Sequence, residues 1–277
     1  MPWLVTVPIV IVILLFAVWL YLVGTRKNPN IEKYKSVRYA HRGLHGEGAA
    51  ENSLTAFRLA VDGGYGIELD VRLSKDGELV VFHDDTLTRV AKIEGKVIDY
   101  TKDELAGFTL SDTSDTVPIF REVLDLVDGR VPLLVEIKED AGDSAVSEKA
   151  AEILKDYRGD YIVESFNPLS LKNFARYLPD VPRGILSQNY MKEEQYRKPL
   201  YFALGAMLTN CLARPSFVAF NGRDHASLSL RLVRFIFRPV TLAWTVRSKE
   251  DEAVLRSLED EEDVGQVLQA WPVYMLW

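Results

Sequence analysis

Strand-like and helix-like stretches alternate along residues 37–277, and this alternation constrains the fold more than any other feature of the sequence. Short runs rich in β-branched residues predict eight strands: Val37–His41, Gly66–Arg72, Leu79–His83, Pro132–Lys138, Tyr161–Ser165, Arg183–Ser187, Phe217–Phe220 and Thr241–Val246. Apolar residues three or four apart predict helices at Ser53–Asp62, Ile119–Val127, Ser144–Asp156, Pro168–Tyr177, Glu193–Leu212, Ser227–Phe235 and Ser248–Leu258. Repeated strand-then-helix order predicts a parallel sheet, either a (β/α)₈ barrel or a doubly wound sheet.

Polar residues at the ends of strands favour the barrel, because the active sites of such barrels are built at the carboxyl ends of several strands. His41 and His83 each end an apolar stretch. The wholly apolar run Val131–Val135 is typical of a strand buried on both faces, and Glu136 and Lys138 follow only at its end. A buried strand that finishes in a carboxylate and an amine usually opens into a functional site.

The strand at residues 67–73 carries two carboxylates on one face. Side chains alternate between the faces of a strand, so Glu68, Asp70 and Arg72 share one side. Two neighbouring carboxylates can hold a hard divalent cation such as Mg²⁺ or Ca²⁺. An ordinary half-exposed strand would show the same pattern, but a third carboxylate, Glu136, at the end of another strand favours the metal site.

An uncharged, mostly apolar run covers Trp3–Val23. At about 1.5 Å per residue it reaches the roughly 30 Å of a bilayer core, so residues 1–25 are expected to anchor the protein in the cell membrane as a single span. A cleaved secretory signal is the alternative, but it would have basic residues before the apolar run, and none is present. Basic residues follow the run from Arg26 onward, which predicts that the large domain faces the cytoplasm. Residues 26–36 are then a linker, and 37–277 form the large domain.

Charge and cysteine content exclude two classes of protein. The chain has 33 basic and 40 acidic residues and a net charge of −7. Nucleic acid is therefore not expected as a partner, because binding to its phosphate backbone needs a basic face. Cys211 is the single cysteine, so no internal disulfide supports the fold and the core alone must hold it.

A series of short motifs runs in order from Val37 to about Val246. They read AHRG, EN, ELD, DG, LVVFHDDTLTR, VEIK, ESFNP and AWTV. In this order and at these spacings they resemble the glycerophosphodiester phosphodiesterase family. The resemblance implies a (β/α)₈ barrel with an extra segment at about Asp84–Pro118. It also implies cleavage of a phosphodiester between a glycerol phosphate and an alcohol, usually with a divalent cation.

The resemblance assigns residues of this sequence to three roles. The acid–base pair would be His41 and His83. The metal ligands would be Glu68, Asp70 and Glu136. The substrate would be bound by Arg42, Asn52, Lys138 and Trp244. His45 and His225 lie in apparent loops and receive no role.

The chemistry of a phosphodiester fits these residue types. It is anionic at neutral pH and repels nucleophiles, so a cation with Arg42 and Lys138 can neutralise it and stabilise the charge gained at phosphorus. Imidazoles titrate near neutral pH, so one can take a proton from the attacking oxygen while the other protonates the leaving alkoxide. The sequence leaves open which histidine has which role, and whether water or the glycerol 2-hydroxyl attacks.

The predicted function is therefore metal-dependent hydrolysis of glycerophosphodiesters to glycerol 3-phosphate and an alcohol by a membrane-anchored enzyme. One alternative is a lysophospholipase D that cuts lysolipids at the same bond, because an anchor keeps the site near lipids. Another is a catalytically weak lipid-binding protein, because the C-terminal sequence departs from the family pattern and Val264–Trp271 is an uncertain eighth strand. The apolar stretch at residues 199–208 is too short to span a bilayer and is typical of a core-facing or interfacial helix.

Overall fold

The computed structural model describes residues 3–140, 142–248, 250, 251, 253 and 267–271, and this part of the chain contains a closed parallel barrel. The strands are β1 (Arg38–His41), β2 (Gly66–Leu73), β3 (Leu79–Val81), β4 (Leu133–Ile137), β5 (Tyr161–Ser165), β6 (Arg183–Ser187), β7 (Phe217–Asn221), β8 (Val240–Trp244) and β9 (Val267–Trp271). β2 pairs in parallel with β4, and each of the strands β4 to β8 pairs in parallel with the next along the chain. β1 closes the ring by pairing in parallel with β9 on one side and with β2 on the other. The predicted (β/α)₈ barrel is confirmed.

Two strands differ from the sequence expectation in instructive ways. β3 pairs antiparallel with β2 outside the ring of eight, because the short turn around Gly77 cannot provide the long crossover that a parallel return needs. It also ends at Val81, so His83 lies in the following loop. The uncertain eighth strand is present as β9, between β8 and β1, and closes the barrel.

The helices mostly match the predicted segments. They are α1 (Trp3–Val23), α2 (Leu54–Asp62), α3 (Thr88–Ala91), α4 (Lys102–Leu105), α5 (Phe120–Val127), α6 (Ala145–Leu154), α7 (Pro168–Tyr177), α8 (Pro199–Gly205), α9 (Asn210–Ala213) and α10 (Leu228–Phe237). The single helix predicted at Glu193–Leu212 is instead divided into a 3₁₀ turn, α8 and α9. Pro199 starts α8, and Met207, with a positive φ of 57°, separates α8 from α9. Most of the predicted helix Ser248–Leu258 lies outside the described residues.

The core has an inner and an outer layer separated by the barrel wall. Inside the barrel, Phe217 lies against Gly184, where an added Cβ would come within 2.0 Å of the Phe217 ring. The outer layer fills the space between the strands and the surrounding helices, with Phe57, Phe120 and Phe174 fully buried. The alternation of side chains along each strand produces this division. The segment after β3 forms a third, smaller core of its own.

The N-terminal helix α1 is long and apolar enough to cross a membrane over Val5–Val23, with a mean hydropathy of 2.8, a test that a signal sequence would also pass. Its large apolar side chains from Val5 to Phe16 are exposed. The last turn packs on the barrel instead. Val23 is fully buried, and its carbonyl oxygen accepts a hydrogen bond of 3.0 Å from Asn210 Nδ2. The end of α1 is therefore part of the barrel's outer layer.

The segment predicted as a linker, residues 26–36, contacts the barrel closely. It contains a 3₁₀ turn at Pro29–Tyr34, whose Ile31 and Tyr34 side chains are buried with the inner-layer residues. Tyr34 also donates a hydrogen bond of 2.9 Å to the carbonyl oxygen of Tyr161, at the start of β5. This segment therefore covers the amino-terminal end of the barrel and leaves the carboxyl end open.

Candidate active site

Neighbouring strands place the acidic side chains together at the carboxyl end of the barrel. Asp70 on β2 is in register with Glu136 on β4, and Glu136 is in register with Glu164 on β5. On the other side of β2, His41 of β1 lies opposite Glu68. Because alternate residues of a strand share a face, Glu68 and Asp70 both point into the barrel.

Three of these carboxylates form a cluster suited to a divalent cation. One ligand oxygen from each of Glu68, Asp70 and Glu136 lies within 4.8 Å of the others, and all three residues are buried. Lys138 Nζ forms ion pairs with Asp70 Oδ1 at 3.1 Å and Glu136 Oε1 at 2.7 Å. Neither buried oxygen accepts a hydrogen bond of good geometry within the described part of the chain. Such oxygens are the ligands that Mg²⁺ and Ca²⁺ prefer, so the residues fit the predicted metal.

Burial and neighbouring charges shift the pKa values of the three carboxylates in different directions. Burial raises the pKa of Glu68 well above its ordinary value, and the nearby Asp70 and Glu136 raise it further. Burial also raises the pKa of Glu136, although Lys138 opposes the shift. Burial opposes the lowering of the Asp70 pKa, but the positive charges around it, Lys138 first, hold that pKa below its usual range. A cation bound among the three would favour the ionised forms of Glu68 and Glu136.

Arg42 lies beside the carboxylates in the turn that follows β1. Its backbone N–H donates to Glu68 Oε2 at 2.8 Å, and its Nη1 donates to Glu51 Oε1 at 2.8 Å. Its Nε is buried 3.6 Å from Asp70 Oδ2 and makes no hydrogen bond within the described residues. Arg42 has a positive φ of 58°, and its carbonyl oxygen accepts a 2.9 Å bond from the Asn52 N–H. Arg42 therefore carries a positive charge next to the cluster, and its Nε–H has no hydrogen-bond partner within the described residues.

Asn52 acts on the cluster through Asp70. Its side chain is buried, and Nδ2 donates a hydrogen bond of 2.8 Å to Asp70 Oδ2. The Asp70 N–H points back to Asn52 Oδ1 at 3.4 Å. Asn52 therefore fixes the orientation of the Asp70 carboxylate.

Both predicted catalytic histidines line one cavity of about 440 Å³, together with Glu68, Glu136 and Lys138. Burial, and then the charge of Arg42, lower the pKa of His41 to about 3, so this imidazole is neutral at pH 7. His83 Nδ1 lies 2.6 Å from Asp84 Oδ1. Because a carboxylate only accepts, His83 Nδ1 carries a proton and Nε2 remains for the substrate.

The cavity wall also contains residues to which the sequence assigned no role: His45, Glu164, Phe166, Leu186, Thr245 and Arg247. Burial raises the pKa of Glu164 well above its ordinary value, with Glu136 and Glu68 adding to the shift. The signal for Glu164 was present, since it stands near the end of an apolar strand just as Glu136 does. Phe166 packs edge-on against Trp244 at 5.6 Å between ring centroids. The two rings form an aromatic part of the cavity wall, and Lys138 Nζ lies 5.9 Å from the centroid of the Phe166 ring.

A network of ion pairs connects the active-site loops. Arg89, on α3, donates from Nη1 and Nη2 to both oxygens of Glu51, at 2.8 and 2.6 Å, and from Nε to Asp84 at 2.5 Å. Glu51 also accepts from Arg42. Burial opposes the shift, but Arg89 and Arg42 lower the pKa of Glu51 to about 2. The network holds the neighbours of both histidines in place.

Replacing Glu51 by Gln is expected to lower the free energy of unfolding at pH 7 by on the order of 2–3 kcal/mol. The folded-state pKa of Glu51 lies below its unfolded value, so its stabilisation is present above pH ~4 and is lost as the pH falls toward about 2. Thermal unfolding of the full-length protein in detergent at pH 7 and pH 3 measures the effect. The difference in the free energy of unfolding between wild type and Glu51→Gln should be about half as large at pH 3 as at pH 7. An equal difference at both pH values would contradict the lowered pKa of Glu51.

Comparisons with known proteins agree with this geometry. The model of the glycerophosphoryl diester phosphodiesterase family matches residues 41–259. A glycerophosphodiester phosphodiesterase of Caldanaerobacter subterraneus subsp. tengcongensis is 36% identical over 166 residues, which cover 56% of this chain and 68% of that protein. The lysophospholipase D GDPD1 of Rattus norvegicus is 27% identical over 144 residues, 47% of this chain and 45% of that protein.

A solved structure shows the same fold. The phosphodiesterase of Oleispira antarctica, in complex with the product sn-glycerol-3-phosphate, superimposes with a TM-score of 0.68 at 21% identity, covering 84% of this chain and 92% of that one. The family match spans well over half of the sequence and includes all nine predicted site residues. The chain therefore belongs to the glycerophosphoryl diester phosphodiesterase family.

Proposed function

We propose that the cavity lined by His41 and His83 hydrolyses glycerophosphodiesters to glycerol 3-phosphate and an alcohol. The observation that carries the proposal is the cluster of three buried carboxylates, with ligand oxygens within 4.8 Å of one another, because two of them, Glu68 and Glu136, line the same cavity as both histidines. The similar Oleispira antarctica phosphodiesterase was solved with sn-glycerol-3-phosphate, which supports the same product here.

Glu68, Asp70 and Glu136 would hold the divalent cation, Mg²⁺ or Ca²⁺. When bound, such a cation neutralises a phosphate oxygen and the charge that phosphorus gains in the transition state. Lys138 and Arg42 would bind phosphate oxygens, since both are cations that line the cavity next to the carboxylate cluster. Asn52 keeps the Asp70 carboxylate in place.

The surroundings of the two histidines support different roles. His41 is neutral at pH 7 because its pKa is lowered, so it accepts the proton of the attacking oxygen. His83 is oriented by the contact of its Nδ1 with the Asp84 carboxylate, which leaves Nε2 as the atom that donates a proton to the leaving alkoxide. Trp244 and Phe166 form the apolar wall against which the glycerol carbons pack.

A substrate panel tests the proposal. Full-length protein in detergent, supplied with divalent cations, is given the choline, ethanolamine, glycerol and inositol diesters of glycerol phosphate. Release of glycerol 3-phosphate from at least one of them is expected. Failure of the folded, metal-supplied protein to hydrolyse any of them would contradict the proposal and favour the lipid-binding alternative.

Lysolipids are the second candidate class of substrate. The exposed apolar surface of α1 favours this candidate. As a membrane anchor, with the basic residues from Arg26 onward on the cytoplasmic side, α1 would keep the catalytic domain beside lipid. The similarity to a protein named lysophospholipase D GDPD1 supports this candidate. A higher kcat/KM for a lysolipid than for the matching diester without an acyl chain would establish it, and equal values would count against it.

A further inference from the structure

Two helices next to α1 expose large apolar side chains. Leu200 and Phe202 on α8 are 60% and 56% exposed, and Leu228 and Leu232 on α10 are 71% and 37% exposed. Leu228 and Leu232 lie four residues apart and so share one face of the helix. We call these four residues the α8–α10 surface. An exposed apolar patch of this kind marks a site of interaction.

The α8–α10 surface is continuous with α1. Trp19 of α1 lines a cavity of about 390 Å³ whose walls also include Phe202, Leu228 and Leu232. Between Val5 and Phe16, α1 exposes large apolar side chains on all sides. A helix that is apolar all round needs an apolar environment. The apolar environment that surrounds α1 is therefore expected to reach the edge of the α8–α10 surface.

The direction of α1 relates that environment to the catalytic cavity. The Arg26 N–H, just after α1, donates to the carbonyl oxygen of Pro215, which precedes β7 at the amino end of the barrel. Trp19, earlier in the chain, lines the same cavity as Asn189 and Asp224, which follow the carboxyl ends of β6 and β7. Toward its N-terminus, α1 thus leaves the barrel on the side of the catalytic opening.

We propose that the α8–α10 surface rests on the lipid bilayer that α1 spans and turns the opening of the catalytic cavity toward that bilayer. Substrates that carry an acyl chain then reach the cavity from the membrane surface. The inference rests on the membrane anchoring in the proposed function. Neither α8 nor α10 contains an acidic residue. Arg231 on α10 and Arg197 and Lys198 directly before α8 are exposed, and the exposed Glu193 and Glu194 lie further back, at the start of the preceding turn. This charge distribution suits contact with anionic headgroups.

Site-directed fluorescence tests the contact without measuring activity. Phe202→Cys and Tyr177→Cys are made in full-length Cys211→Ser protein and labelled with a polarity-sensitive dye. Tyr177 is the matched control, because it is 55% exposed but lines a different cavity, with Asp160 and Pro182, at the amino end of the barrel. In phosphatidylcholine–phosphatidylglycerol vesicles that contain brominated lipid, we expect a blue shift and quenching of the dye at position 202 and neither effect at 177.

Two results would overturn the inference. One is quenching of the dye by brominated lipid that is equal at positions 202 and 177, or absent at both. The other is a blue shift at position 202 that depends on the protein-to-lipid ratio and is not quenched by brominated lipid, which would mean that a second copy of the chain covers the surface.

A kinetic comparison separates this inference from the proposed function. Phe202→Asp should lower kcat/KM for a lysolipid embedded in vesicles by about tenfold, whereas Tyr177→Asp should not change it. Both variants should hydrolyse a water-soluble glycerophosphodiester at the wild-type rate. Normal turnover of both substrates by Phe202→Asp would overturn the inference and leave the proposed function intact. Absence of turnover in the wild type would count against the proposed function alone.

Discussion

Removal of divalent cations is expected to lower phosphodiesterase activity by about a thousandfold or more, since a bound cation supplies several kcal/mol of transition-state stabilisation. The physical reason lies in the cluster of Glu68, Asp70 and Glu136. Burial and mutual repulsion disfavour the negative charges of these carboxylates, and a cation would compensate them. Initial rates before chelation, in EDTA, and after adding back Mg²⁺ or Ca²⁺ measure the effect. Full activity after removal of the metal would contradict the metal's role.

Asp70→Asn should reproduce the loss in the presence of metal, because an amide keeps the shape of the side chain but removes its charge. Asp76→Asn is the matched control. Asp76 is an exposed aspartate in the turn between β2 and β3. Its substitution should leave the rate unchanged; equal losses in the two variants would mean that the effect of Asp70→Asn is not specific to the cluster.

His41→Ala and His83→Ala should each lower turnover of a glycerophosphodiester with an alkyl leaving group by about 10²–10⁴-fold, the usual contribution of a general acid or base. A diester with a p-nitrophenyl leaving group distinguishes the two roles, because this group departs without a proton. On that substrate His83→Ala should recover most of the activity, whereas His41→Ala should stay impaired. The assignment follows from the neutral ring of His41 and the Asp84 contact of His83.

His225→Ala is the control for both histidine variants. His225 Nδ1 lies 2.9 Å from the carbonyl oxygen of Gly222, and the residue does not line the catalytic cavity. Its substitution should leave turnover near the wild-type rate. Turnover that survives in both His41→Ala and His83→Ala would refute the acid–base pair, and recovery by His41→Ala instead would reverse the two roles.

The barrel could be predicted from sequence because strand and helix periodicities are local properties. β3 and β9 show where local pattern is insufficient. The residues of β3 read as a strand, but the short connection around Gly77 decides that it returns antiparallel to β2. The sequence of β9 departs from the family pattern. Its position follows from its pairing with both β8 and β1, two strands that are far apart from each other in the sequence.

The site could be predicted in outline because its chemistry falls at the ends of strands. Glu136 and Lys138 were identifiable from the apolar run before them. The proximity of Glu164 to Glu136 depends on the register of β4 with β5, which the sequence does not specify. The contact of Arg89 with Glu51 joins residues of separate loops, so it required the three-dimensional structure.

The central claim is that this cavity uses a divalent cation to release glycerol 3-phosphate. Phosphorus NMR on full-length protein incubated with sn-glycero-3-phosphocholine, before and after EDTA, tests it most directly. We predict that the glycerol 3-phosphate signal grows in the presence of the cation, stops growing on chelation and resumes when the cation is restored. Growth at an unchanged rate in EDTA would contradict the account.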